Sequence, residues 1–157
     1  MRKITSDRLM TPEASAAFLA SETVGRLSTL NSDGTIYTIP LHYIFMDGKI
    51  YFHSSPEGQK MENLRSDSRC SFEIDSFGGY IIRSENPCRI GSIYKSATVV
   101  GSAKILENTA EKKRILSALL AKAIPDKTFA EIPDQAAAAT AIVEITIAQM
   151  TGKACPE

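Results

Sequence analysis

Two short turns fix more of this chain than any other feature. Ser32-Asp33-Gly34 and Met46-Asp47-Gly48 lie about one strand length apart, and each separates segments of alternating apolar and polar residues. Asp-Gly between such segments signals a tight hairpin, because these residues accept the backbone angles that a two-residue connection demands. The sequence from Arg26 to Ser76 therefore reads as an antiparallel meander. Its strands are Arg26–Leu30, Thr35–Phe45 interrupted at Pro40, Lys49–His53 and Cys70–Ile74.

The rest of the chain supports a mainly β domain. Thr11-Pro12 predicts an N-cap and first-turn proline for a short helix, with Ala14, Ala17, Phe18 and Ser21 at helical spacing. Gly78-Gly79 reads as a turn, Tyr80 to Arg83 as a short strand, and Ser84 to Ile93 as irregular. Ala97–Leu106 is expected to be a long strand in which Gly101 marks a bulge or a close backbone approach. Thr109 then starts a helix with the stripe Ile115, Leu116, Leu119 and Leu120, ended by Pro125. The alanine run before Ala139 can hold a helical turn, and Ala141–Met150 is the last strand. At 157 residues one domain spanning 1–157 is expected. Six short antiparallel strands with peripheral helices favour a small barrel or curved sheet.

Eighteen basic and eighteen acidic residues cancel, without a basic run. Nucleic-acid and membrane-surface binding are not expected, since both rest on clustered positive charge. Three scattered cysteines, Cys70, Cys88 and Cys155, cannot make a complete disulfide framework and form no metal-binding spacing, so no metal is expected. The start, MRKITSDRLM, carries no apolar leader, and no apolar run spans a bilayer. A cytoplasmic location is the expectation.

The candidate site begins at Ile50–Leu64, IYFHSSPEGQKMENL. A strand leads into Ser54 and Ser55, then a proline and glycine loop, then a short helix bearing Lys60. A helix start offers unpaired N–H groups and a positive dipole end, and serine hydroxyls with an ammonium complete a shell suited to phosphate. An ordinary solvated strand–loop–helix junction is the alternative. Pro40 cannot donate to a ladder, so it implies an edge, a bulge, or a place where a planar ligand meets the neighbouring backbone of Ile39 and Leu41. His42 and His53 lie on strands joined by the second turn and are expected close together near the loop. No GxGxxG or P-loop is present.

Taken in order, VGRLSTLNSDGTIYTIPLHYIFMDGKIYFHSSPEGQKMENLRSDSRCSFEID, then YKSATVVGSAKIL and ITIAQMTGK, the chain resembles the FMN-binding split-barrel family of pyridoxamine 5'-phosphate oxidase relatives. Within that family it is most similar to the nitroimidazole-resistance, or nitroimidazole reductase-like, branch. The resemblance implies a six-stranded antiparallel split β-barrel, a homodimer, and FMN at the subunit interface. It implies that Thr38, Ile39, Pro40, Leu41 and His42 line the isoalloxazine, and that Phe52 and His53 touch the flavin and ribityl phosphate. Ser54, Ser55, Gln59 and Lys60 would surround the phosphate, with Lys95 and Ser96 reaching in from the partner subunit.

Two departures stand out. Gln59 occupies a position where relatives usually carry arginine. The tryptophan- and arginine-rich C-terminal substrate segment of true pyridoxamine-phosphate oxidases has no counterpart, so that substrate is not expected. The activity implied is an FMN-dependent oxidoreductase acting on a small molecule, a nitroaromatic acceptor among them. His53 is the candidate catalytic residue, orienting substrate or passing a proton, or else contacting only the cofactor. The alternatives are a flavin or other cofactor carrier without catalysis, and a dimeric barrel that has lost its cofactor.

Overall fold

The computed structural model describes residues 6–155. Four α-helices surround one seven-stranded antiparallel sheet. The strands are β1 (Val24–Leu30), β2 (Ile36–His42), β3 (Ile44–Met46), β4 (Lys49–Ser54), β5 (Arg69–Ile82), β6 (Ile90–Ile105) and β7 (Ala141–Cys155). The helices are α1 (Pro12–Ser21), α2 (Gln59–Ser66), α3 (Thr109–Ala123) and α4 (Asp134–Ala139). No helix among the described residues is long and apolar enough to cross a membrane.

Both Asp-Gly turns form hairpins as expected. Asn31 to Thr35 connects β1 to β2, and Asp47-Gly48, with φ of 54° and 73°, connects β3 to β4. Positive φ at both positions is what the right-handed twist of a two-residue hairpin requires. The meander stops there. The strand order is β2-β1-β5-β6-β7-β4-β3, so β2 and β3 are the two opposite edges of the sheet. Yet they are consecutive in the chain and separated by Tyr43 alone. Two peptide units span at most about 7 Å. The sheet must therefore roll until its edges meet, giving an unclosed barrel of seven strands rather than six.

Pro40 also resolves. The register from Val24↔His42 to Leu30↔Ile36 runs without a slip, so Pro40 is no bulge. It sits on an edge strand, where a missing N–H goes unneeded. The interruption falls at Tyr43, because the chain there leaves one edge for the other. Tyr43 is 1% exposed. Its hydroxyl donates to the Leu19 carbonyl at 2.6 Å, its ring meets Phe72 edge-on, and the Lys122 ammonium lies 4.5 Å from its centroid.

Several local expectations shift by the same tertiary logic. Thr11 does cap α1, but the buried stripe is Ser15, Phe18 and Leu19, since α1 packs across β7. Asn108, not Thr109, caps α3 by accepting from the Glu111 amide. Gly78-Gly79 is a bulge inside β5 rather than a turn. As a result β5 and β6 continue as a hairpin arm to Ile82↔Ile90, beyond the last pairing of β6 with β7 at Tyr94↔Cys155. Phe77, Tyr80, Ile82 and Ile90 are exposed on that arm. The alanine run forms α4, and β7 extends past Met150 to Cys155.

The main core fills the barrel with Leu27, Ile50, Phe52, Phe72, Val99 and Val143 among others, and a second cluster beneath α3 contains Ile115, Leu119 and Ile142. The β4–β7 ladder carries a polar clamp: Glu144 accepts from Lys49 at 2.7 Å and from the Tyr51 hydroxyl at 3.0 Å. Gly101 lies at the register shift between β6 and β7, as expected, and a Cβ there would collide with the Thr146 carbonyl oxygen. Backbone cannot swing aside as a side-chain tip can. Gly101→Ala is therefore expected to cost about 1–3 kcal/mol, read from the shift in urea midpoint at unchanged slope.

Candidate functional site

The loop from Ser55 to Gly58 is held at both ends by side chains of the helix it leads into. Met61 and Leu64 bury their apolar faces in the barrel core, which seats α2 over the end of β1. Between them, Asn63 is 3% exposed. Its amide donates to Thr29 Oγ1 at 3.0 Å and Asn31 Oδ1 at 2.8 Å, and its carbonyl accepts from Gln59 Nε2 at 2.9 Å. Arg65, one turn on, reaches back to donate to the Pro56 carbonyl at 2.6 Å. Gly58 begins α2 with φ of 110°, a conformation that L side chains rarely adopt, and nothing lies within 4 Å of the place where its Cβ would be.

What remains uncommitted in this loop is a set of donors. The first amides of α2 have no intrahelical acceptor, and no side chain caps them. Lys60 is half-buried and forms no ion pair among the described residues. Ser54 is 7% exposed, and its Oγ is buried without any hydrogen-bond partner. A buried hydroxyl left unpaired costs about 1–3 kcal/mol, so such groups occur where something else is to satisfy them. Ser55 Oγ accepts from the Glu57 amide at 3.3 Å, which leaves its O–H free to donate. One N–H of the Gln59 carboxamide is committed to Asn63, and Lys60 supplies the positive charge at this helix start.

The strand residues divide by pleat. Thr38, Pro40 and His42 face outward on the edge strand β2, where Thr38 and Ser28 share a hydroxyl hydrogen bond of 2.9 Å. Ile39 and Leu41 point the other way and pack on the core. Phe52 is 0% exposed in that core, so its side chain serves packing and only its backbone is left for a ligand. His53 is exposed beside it.

The two histidines do come together, although not across the hairpin. Rolling brings the end of β2 to the end of β4, and His42 and His53 line one cavity of about 360 Å³. Leu116 and Leu120 of α3, Ala136 of α4 and Thr140 form other parts of its wall. The sequence reading missed this wall. Its only signal was the i, i+4, i+7 spacing of Leu116, Leu120 and Ala123, one edge of a stripe assigned wholly to the core.

Lys95 and Ser96 do not join this site within one chain. They pair with Ser76 and Asp75 at the far end of β6, nine residues from Ile105, which is level with Phe52 through Val143. At strand rise that is about 30 Å. Lys95 instead lines a depression of about 330 Å³ with Phe18, Glu22 and Tyr94. Among the described residues no three His, Cys, Asp or Glu side chains come together to hold a metal. The cysteines are free. Burial pushes the Cys70 thiol up to about 11, which makes it inert at neutral pH.

A family model described as pyridoxamine 5'-phosphate oxidase matches residues 11–154. Among solved structures, a candidate 5-nitroimidazole antibiotic resistance protein from Bacteroides thetaiotaomicron superposes with a TM-score of 0.81 at 19% identity, covering 92% of this chain and 85% of its own. The flavocytochrome Anf3 from Azotobacter vinelandii gives 0.84 at 15% identity, over 98% of this chain and 73% of its own. A FAD-binding protein from Mesorhizobium loti gives 0.71 at 24% identity, over 94% and 97%. At these identities the likeness establishes the fold. No curated protein matches.

The orphan hydroxyl has a thermodynamic signature independent of any ligand. Ser54→Ala removes the unpaired oxygen and keeps the packing, so the cofactor-free protein is expected to unfold at equal or higher urea concentration, by up to about 1 kcal/mol. A loss of stability would mean that the hydroxyl already has a partner.

Proposed function

The chain belongs to the pyridoxamine 5'-phosphate oxidase family, and from that premise we propose that it is a flavoprotein that binds FMN and transfers electrons to a small molecule. The observation that carries this reading is Ser54 Oγ, buried and unpaired where β4 enters the four-residue loop that leads to a helix start with free amides and, among the described residues, an unpaired lysine. This donor set suits a terminal phosphate monoester. Hydroxyl and amide donors satisfy its oxygens, Lys60 offsets its charge, and Gly58 leaves the approach open. The outward face of Thr38, Pro40 and His42 offers a wall for a planar ring, with His53 at its end.

A bound flavin would supply the hydride or electron chemistry, while the protein supplies position and electrostatics. His53 is exposed and lies beside the cavity, so it can orient a substrate or hold a proton at one imidazole nitrogen. Gln59 stands where relatives place arginine. With its amide turned to Asn63, the phosphate charge is met by Lys60 and by helix N–H groups. Affinity should fall below that of relatives with both cations, since a charge-assisted bond is worth roughly twice a neutral one.

Lys95 and Ser96, about 30 Å away along β6, can serve the same site only from a second copy of the chain. Their position supports a homodimer with the cofactor between subunits.

Purified protein is expected to be yellow and to release FMN, identified by mass, on heating. Colourless protein that takes up no added FMN would sink the proposal. Lys60→Ala is expected to weaken FMN binding by about 1.5–3 kcal/mol, roughly ten- to a hundredfold, in a flavin-fluorescence titration. Reduction by a nicotinamide followed by reoxidation with a nitroaromatic separates an oxidoreductase from a flavin carrier.

A further inference from the structure

The cavity at the seam between β2 and β4 has walls of a different chemistry from the phosphate loop. Leu116, Leu119, Leu120 and Ala123 of α3 line it on one side, and Ile132 and Ala136 close it from the α4 segment. Its polar residues are His42, His53 and Thr140, and the Thr140 hydroxyl donates to the Ala136 carbonyl at 2.9 Å. Among the described residues no carboxylate and no ammonium lines it. At about 360 Å³ it falls at the small end of the ~300–1,000 Å³ range of ligand pockets.

Each wall restricts the occupant. Leucine, isoleucine and alanine faces reward a flat apolar body. A primary ammonium group would find no carboxylate. A phosphate ester would bring about two negative charges into a chamber whose described lining holds neither lysine nor arginine. Two imidazole N–H donors can meet the one charge of a carboxylate by charge-assisted bonds, but not two. The imidazoles of His42 and His53 each offer an N–H donor to an acceptor group, whereas the Thr140 oxygen is left only to accept. His42 and His53 also belong to the candidate cofactor set, so a molecule held here lies beside the proposed flavin.

We propose that this cavity is the substrate pocket and that it takes a compact, flat ring compound bearing a single carboxylate or carbonyl group, held by the imidazole N–H groups of His42 and His53. It excludes phosphorylated amines of the pyridoxamine phosphate type. That such a compound is turned over rests on the flavin reading; that it binds does not.

The test uses 2-naphthoate as probe. The chain has no tryptophan, so the fluorescence of the probe can be followed directly. Saturable binding to the purified protein is expected. Ala136→Phe and, separately, Ala123→Phe project a ring into the cavity from exposed helix positions, and each should weaken binding at least about tenfold. His53→Leu keeps the apolar volume and should also weaken it. Melting temperatures of the variants show whether each is folded, and flavin content is read separately from absorbance. Binding lost in a folded variant supports the assignment, even in colourless protein. Absence of saturable binding, binding unchanged by both phenylalanine variants, or equal affinity for pyridoxamine 5'-phosphate overturns it, even in fully yellow protein.

Discussion

One residue, Tyr43, joins the first edge of the sheet to the last. Its neighbours pair with strands on opposite sides of the seven-strand order, and a single residue between them leaves no length for a crossover. Rolling the sheet is the only solution, and the site follows from it. His42 meets His53, β4 is carried beneath α3, and the loop at the end of β4 leads into α2, which is seated on β1, the neighbour of β2. The contacts of Tyr43 fit this role. An edge-on ring pair, a buried hydroxyl bond to the end of α1 and a cation from α3 tie three elements to the seam.

Features set within a few residues were legible in the sequence. The two Asp-Gly hairpins, the Thr11 cap, the Gly101 irregularity and the loop entering α2 all depend on local backbone angles or on one missing side chain. Strand partners were not legible. β1 pairs with β5 and β4 with β7 through contacts across 43 to 97 positions, and the alternation of each strand is satisfied by any neighbour offering an apolar face. Gly78-Gly79 misled for a related reason, since two glycines permit a turn or a bulge, and the ladder with β6 chose the bulge. Phe52 shows the limit for the site. Its neighbours His53 and Ser54 carry the relevant chemistry, but the pleat turns the phenyl ring into the core.

The α2 junction shows how the fold and the candidate chemistry share atoms. Asn63 holds the helix to β1 with its amide and engages Gln59 with its carbonyl, so the group that would otherwise face the loop helps to anchor the helix that carries Lys60. The Gln59–Asn63 bond fixes the helix start. Ser54 is the counterpart, a group whose hydrogen-bonding capacity is left unspent by the fold. Together they make the loop a rigid frame for the few donors left free.

Among the described residues, the arm formed by β5 and β6 beyond Tyr94 pairs only with itself, and its tip between Ile82 and Ile90 lies past the pairing with β7. Sequence length can therefore change at residues 83–89 without altering the register of any barrel strand. Among descendants of a common ancestor, this tip is a place where insertions and deletions can accumulate while the loop before α2 and the seam keep their spacing.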